Sequence, residues 1–312
     1  MRAFVFPGQG SQTIGMGQAL SQAYPAAKAV WDEVDEALGE SLSQLVFDGD
    51  IETLTLTRNA QPALMATSIA AMRALEAEGV DIEAASYVAG HSLGEYSALC
   101  AAGALTLADT ARLLRLRGEA MQAAVPVGEG AMAAVLGLDL AAVRQLAADA
   151  AEGEVCQAAN DNDPSQVVIS GHKGAVERAA ALAKEWGAKR ALMLPVSAPF
   201  HSALMQPAAE AMRAALADIA LNAPAVPLIA NVTAAPVTDP DTIRGLLVDQ
   251  VTGAVRWRES VEAMATAGVT EFWEIGAGKA LTGMIRRIAK GSETRSIGTP
   301  DEVAEAAASL KA

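Results

Sequence analysis

Aromatic residues are scarce in this 312-residue chain, at 4%. The interior must therefore be filled by Ala, Val, Leu, Ile and Met, and an apolar content of 52% is enough for an ordinary globular core. Cysteine is almost absent. Cys100 and Cys156 both lie in apolar surroundings, and neither has a Cys or His at metal-ligand spacing. That excludes a disulfide framework and a zinc pattern, and it points to two reduced thiols in the cytoplasm. Long apolar runs are missing too. Stretches such as 98–108 fall far short of a bilayer, and the N-terminal MRAFVFPGQG has no extended apolar region or cleavage site, so neither a membrane span nor a secretory signal is expected.

Positive charge is in short supply. With 23 Lys and Arg against 37 Asp and Glu the net charge is −14, which argues against a nucleic-acid partner. An acidic protein partner would need a local basic patch to overcome the global repulsion. Candidates are Lys184, Lys189 and Arg190, or Lys279, Arg286, Arg287 and Lys290; solvated helix faces are the equal alternative. Phosphate loops are incomplete. Thr13 stands where G-x-G-x-x-G needs its third glycine, and Gly278-Lys279 has Trp273 and Ala280 where a P-loop needs Gly and Ser/Thr. No nucleotide cofactor and no metal are expected.

What is present is an alternation of strands and helices. RAFVF at 2–6 is a buried strand ending in the glycine-rich turn PGQGSQ, and 58–78 has the pattern of a long helix. SYVAG at 86–90 is a strand running straight into a helix, and another helix follows at 107–124. This order implies a parallel α/β sheet. VPVGEG at 125–130 breaks it. A strand–helix–strand–strand–helix–strand series then occupies about seventy residues, which is the order of a ferredoxin-like unit. Afterwards the α/β rhythm resumes. The expected architecture is an α/β-hydrolase-like core of 1–127 and 198–312 with a ferredoxin-like domain of 128–197 inserted.

Gly90-His91-Ser92-Leu93-Gly94 fits the G-x-S-x-G nucleophile elbow, in the strand-to-helix context the motif requires. Glycines on both sides leave room for a tight turn that exposes the hydroxyl. A helix N-cap serine is the alternative. A serine needs a base within hydrogen-bond reach. Of three histidines, His91 is the serine's neighbour and points elsewhere on a sharp turn, and His172 opens a helix of the inserted unit as a surface or capping residue. His201 remains, as a base or as a structural histidine at a domain junction.

The blocks Phe6–Gln12, Gln61–Leu64, Gly90–Tyr96, Arg117-Gly118, Met121-Gln122, Gln166–Gly171, Pro199–Ser202, Gln250, Val255–Trp257 and Glu274–Gly276 follow one another in an order that resembles the malonyl-CoA:acyl-carrier-protein transacylases of fatty-acid synthesis. The resemblance implies that Ser92 is the nucleophile, His201 its base and Gln250 the source of a carbonyl that orients the imidazole. It implies an oxyanion hole from the backbone N–H groups of Gln9 and Leu93, and a malonyl pocket of Arg117, Met121 and Phe200. Arg117 suits a carboxylate because its guanidinium fork makes two parallel hydrogen bonds; read from the residues alone it is equally an exposed helix charge beside Arg112 and Arg115. Malonyl-CoA would be the substrate, and an acyl carrier protein bearing phosphopantetheine the partner. A polyketide-pathway acyltransferase and a serine esterase are the alternatives. The chain departs from the family pattern at Gly253-Ala254, at Ala277, and at Asp161 and Asp163 in what is expected to be a loop.

Overall fold

A computed structural model of the chain describes residues 1–196 and 198–310. Ser197, on which the expected boundary between 128–197 and 198–312 falls, lies outside the described residues.

Among the described residues ten strands form two sheets: β1 (Arg2–Phe6), β2 (Tyr87–Gly90), β3 (Gly130–Leu136), β4 (Cys156–Asp163), β5 (Gln166–His172), β6 (Arg190–Met193), β7 (Leu228–Ile229), β8 (Pro236–Val237), β9 (Glu271–Ile275) and β10 (Glu293–Ile297). The larger sheet has the order β10-β9-β1-β2-β7-β8. Its first five strands are parallel, while β8 turns back antiparallel on β7. The expected parallel sheet thus runs over five strands and ends in one antiparallel edge strand. Strand β1 shows why its sequence belongs in the middle. Phe4 and Phe6 join the main core on one face, Ala3 and Val5 join a second cluster on the other, and a strand buried on both faces reads as an unbroken apolar run.

The smaller sheet is antiparallel, in the order β4-β5-β3-β6, and two helices, Leu140–Ala151 and Lys173–Leu182, cover one face. Alternation again sorts the side chains. Ala131, Ala133 and Val135 of β3 face those helices, while Met132 and Ala134 face the larger sheet's side. The expectation of a loop at Asp161 and Asp163 is corrected here: both belong to β4, which runs on to Asp163. The physical reason is pairing that composition does not reveal. Polar Asn160–Asp163 pairs with Val167, Val168 and Gln166, and Asp161 N donates to Val255 O at 2.9 Å.

Two helices beside the larger sheet carry site residues. Thr57–Ala77 is buried over most of its length, and Leu107–Ala123 packs across it. A Cβ on Gly118 would lie 2.6 Å from Arg58 Cα, so the close crossing needs glycine there. Among the described residues no helix is long and apolar enough to cross a membrane.

Candidate active site

Strand β2 ends in the elbow. Ser92 has φ 55°, in the left-handed region that a non-glycine residue occupies only when its surroundings hold it. The turn is tight enough that a Cβ on Gly90 would lie 1.9 Å from the carbonyl carbon of Gly94, and one on Gly94 would lie 2.3 Å from Phe6 O. Ser92 N donates to Asn231 Oδ1 at 2.8 Å, and Asn231 Nδ2 donates to Gly90 O at 2.7 Å. One buried asparagine from the loop after β7 thus staples both sides of the turn.

His201 comes from the segment returning from the smaller sheet, and it too has positive φ, 57°. Its Nε2 lies 2.8 Å from Ser92 Oγ. Its Nδ1 lies 2.8 Å from Gln250 O and 3.2 Å from Gly253 O. Carbonyl oxygens only accept, so Nδ1 carries the proton and Nε2 is left to take one from the serine. The ring is buried, and burial first, then the Arg117 cation, pushes its pKa down to about 3, so it is a neutral base at physiological pH.

Arg117, at the centre of its helix, is only 1% exposed. Its Nη1 donates to Gln61 Oε1 at 2.7 Å, and its Nη2 to Gln250 Oε1 at 2.8 Å and Ser92 Oγ at 3.2 Å. All three acceptors are neutral. Burial holds its pKa below the ordinary guanidinium value. Of the two open readings of Arg117, the exposed one is excluded by this burial.

Gln250 therefore meets the site twice, through its carbonyl at His201 and through its amide at Arg117. The amide's orientation is settled by its partners. Nε2 donates to Glu95 Oε2 at 2.7 Å and to Ser92 O at 2.9 Å, and Oε1 faces a group that can only donate. Glu95 is buried, and burial raises its pKa to about 7. Its Oε2 also accepts from Asn231 N at 3.3 Å.

Ser92, His201, Arg117 and Gln61 line a cavity of about 310 Å³ between the two sheets. Gln9, Leu93, Met121 and Phe200 lie on its wall, with Met132 and Val168 contributed by the smaller sheet. The N–H groups of Gln9 and Leu93 have no protein acceptor among the described residues. His91 turns away from the nucleophile, its Nε2 lying 2.8 Å from Asn162 Oδ1. His172 is outside the site, where its Nδ1 accepts from Val155 N at 2.9 Å. Of the basic candidates, Arg287 pairs with Asp163 at 2.8 Å, Lys279 with Glu302 at 3.6 Å, and Arg286 donates to Thr294 Oγ1.

The sequence reading gave no role to Glu95, Asn231 or Gln61. Glu95 was within reach, as a carboxylate buried in the first turn of an apolar helix one residue after the elbow's last glycine. Asn231 carried no local signal.

A strained serine hydrogen-bonded to a neutral imidazole, at the C-terminal end of a parallel strand in an α/β fold, defines a serine-dependent enzyme of acyl-group chemistry. The model of the acyl transferase domain family matches residues 3–307, and the chain belongs to that family. It is 48% identical to the malonyl CoA-acyl carrier protein transacylase of Bacillus subtilis, over 99% of this chain and 97% of that one. The crystal structure of the acyl-carrier-protein S-malonyltransferase of Bartonella henselae superposes with a TM-score of 0.97 at 56% identity, covering 100% of this chain and 99% of that one. A malonyl-transacylase solved with its type II polyketide acyl-carrier protein gives a TM-score of 0.96 at 41% identity, covering 99% of each chain.

Proposed function

We propose that this acyltransferase moves the malonyl group of malonyl-CoA to the phosphopantetheine thiol of an acyl carrier protein, for fatty-acid synthesis, through a malonyl-Ser92 intermediate. The observation that carries the reading is the triangle of Ser92 Oγ, His201 Nε2 and Arg117 Nη2, with Oγ 2.8 Å from the base and 3.2 Å from a buried guanidinium. A guanidinium with only neutral partners, one hydrogen bond from the nucleophile, suits an acyl group that ends in a carboxylate.

In the first half-reaction His201 takes the Ser92 proton as Oγ attacks the thioester carbonyl, and the thiol of coenzyme A leaves with that proton. The carrier's thiol then takes the acyl group by the reverse steps, giving a ping-pong order. The N–H groups of Gln9 and Leu93 receive the oxyanion; such donors are typically worth about 3–4 kcal/mol in the transition state. The Gln250 carbonyl holds the imidazole in place. Met121 and Phe200 shape the acyl pocket. The sheet orders fit an α/β-hydrolase-like domain of 1–127 and 198–312 carrying a ferredoxin-like domain of 128–197. A cytoplasmic setting fits the two buried unpaired thiols, Cys100 and Cys156.

The test is intact-mass analysis after mixing with malonyl-CoA. Native protein should gain one malonyl group and pass it to a holo carrier protein, and Ser92→Ala should gain none. Labelling of Ser92→Ala, or release of the acyl group to water faster than to the carrier, would defeat the reading; the second result would favour an esterase.

A further inference from the structure

Among the described residues His201 has no anionic partner of the kind a catalytic imidazole usually has. Its Nδ1 faces the carbonyls of Gln250 and Gly253. The charged group nearest to it is instead a cation. Arg117 Nη2 donates to the same Ser92 Oγ that His201 Nε2 touches, so the two nitrogens are at most about 6 Å apart. Both side chains are buried, where solvent screens little. A proton arriving on His201 is therefore repelled by Arg117 throughout the free enzyme.

The remaining titratable neighbours do not relieve this. His91, on the elbow, is held neutral by burial and bonded to Asn162. Glu95, on the helix after the elbow, attracts Arg117 when ionised, but burial raises its pKa to about 7, so it is mostly protonated over the acid range in which His201 titrates. Tyr96, on the same helix, has its ring 5.7 Å from the guanidinium carbon, and burial pushes its pKa up to about 12, so it is uncharged. The helix Pro240–Thr252 and the residue after it present only carbonyls to the imidazole.

Resting on the proposed malonyl transfer, we propose that the substrate's own carboxylate arms the base: by pairing with Arg117 it cancels the repulsion, and His201 becomes a stronger proton acceptor only when a carboxylated acyl group is bound. The step then balances as follows. The Ser92 proton passes to His201 Nε2 as the Oγ–carbon bond forms and the thioester π electrons move to the carbonyl oxygen. Collapse breaks the carbon–sulfur bond, and the Nε2 proton follows the departing sulfur. The transient imidazolium is stabilised by an acyl carboxylate beside it, in the role that a triad aspartate plays elsewhere. A neutral acyl group such as acetyl leaves Arg117 unpaired, so it is transferred slowly even where it fits, and selectivity is exercised in the chemical step as well as in binding.

The test is the pH dependence of single-turnover acylation of Ser92, by pH-jump and rapid quench, with malonyl-CoA and with acetyl-CoA. The midpoint of the acid limb reports His201 in each bound complex. It should lie about one pH unit or more higher with malonyl-CoA. In Arg117→Ala the acetyl midpoint should rise toward the native malonyl value, because deleting the cation does what pairing it does. Coincident midpoints in the native enzyme overturn the proposal with no variant needed, and so does an acetyl midpoint that a folded Arg117→Ala leaves unmoved. Failure of malonyl-CoA to label Ser92 at all would instead reject the function on which the proposal rests.

Discussion

Gln250 shows how much one residue can be asked to do. Its backbone carbonyl accepts from His201 Nδ1, and its buried amide bridges Arg117 to Glu95 beneath the cavity wall. The two duties can be separated by substitution. Gln250→Leu keeps the carbonyl and removes the amide, leaving Arg117 one acceptor short and Glu95 without its closest donor. A lost hydrogen bond to a buried charge is worth about 1.5–3 kcal/mol, so kcat/KM for malonyl-CoA should fall by about tenfold to a hundredfold, with slow acetyl transfer much less affected. A steady-state comparison of the two substrates checks it, and an equal fall for both would mean that the side chain only supports the fold. At this scale the sequence was informative where chemistry is rare. Ser92 and His201 stood out because the elbow sits between a strand and a helix and histidines are few, whereas Arg117 was singled out only by the family resemblance. Glu95 and Asn231 did not, because the contact that gives them meaning joins residues 136 positions apart.

Arg117 reaches Gln61 because two helices cross closely, and that crossing depends on a missing side chain. In Gly118→Ala the new Cβ would meet Arg58 Cα at 2.6 Å and Thr57 O at 2.7 Å, both backbone atoms that cannot swing aside. The helices must separate by some tenths of an ångström, and Gln61 moves with its helix. The expected outcome is a raised KM for malonyl-CoA together with a melting temperature lower by several degrees, since overpacking costs about 1–3 kcal/mol. An unchanged KM in a destabilised protein would show that the crossing matters for folding alone. Helix and strand order could be read from period and punctuation, and Arg117-Gly118 was visible as a pair. That the glycine serves the arginine was not, because helix–helix distance is a tertiary quantity. The same limit explains β4, where a run of Asn and Asp reads as loop until its partners are known. Once paired, strand alternation turns Asn160 and Asn162 toward the cavity and sends Asp161 and Asp163 to arginines on the other layer.

Those two aspartates matter most for the molecule as a whole. Asp161 meets Arg258 at 2.9 Å and Asp163 meets Arg287 at 2.8 Å, and both arginines sit on helices that flank the larger sheet. With the backbone pairing of Ala159 and Asp161 to Val255, they hold the smaller sheet down over Ser92. Two of the residues at which the chain departs from the family pattern thus clamp the two halves of the cleft. An acyl-serine survives only if water is kept from it while a thiol is admitted, so the clamp should be felt as leakage. Asp161→Asn with Asp163→Asn keeps shape, and it keeps the turn in which Asp163 Oδ1 accepts from Ser165, but it removes both ion pairs. The aspartates are buried but the arginines are partly exposed, and the cost of burying the carboxylates, which raises the pKa of Asp161, offsets much of the attraction; the loss per pair on changing to Asn is therefore modest, about 1 kcal/mol, and melting should fall by only a few degrees. Serine acylation at saturating malonyl-CoA should stay near the native rate. Decay of the malonyl-enzyme in buffer without thiol, followed by intact mass, should quicken several-fold. If the acyl-enzyme of the double variant is as long-lived as the native one while its melting point drops, the ion pairs stabilise the fold without guarding the intermediate, and water exclusion must come from the cavity wall alone.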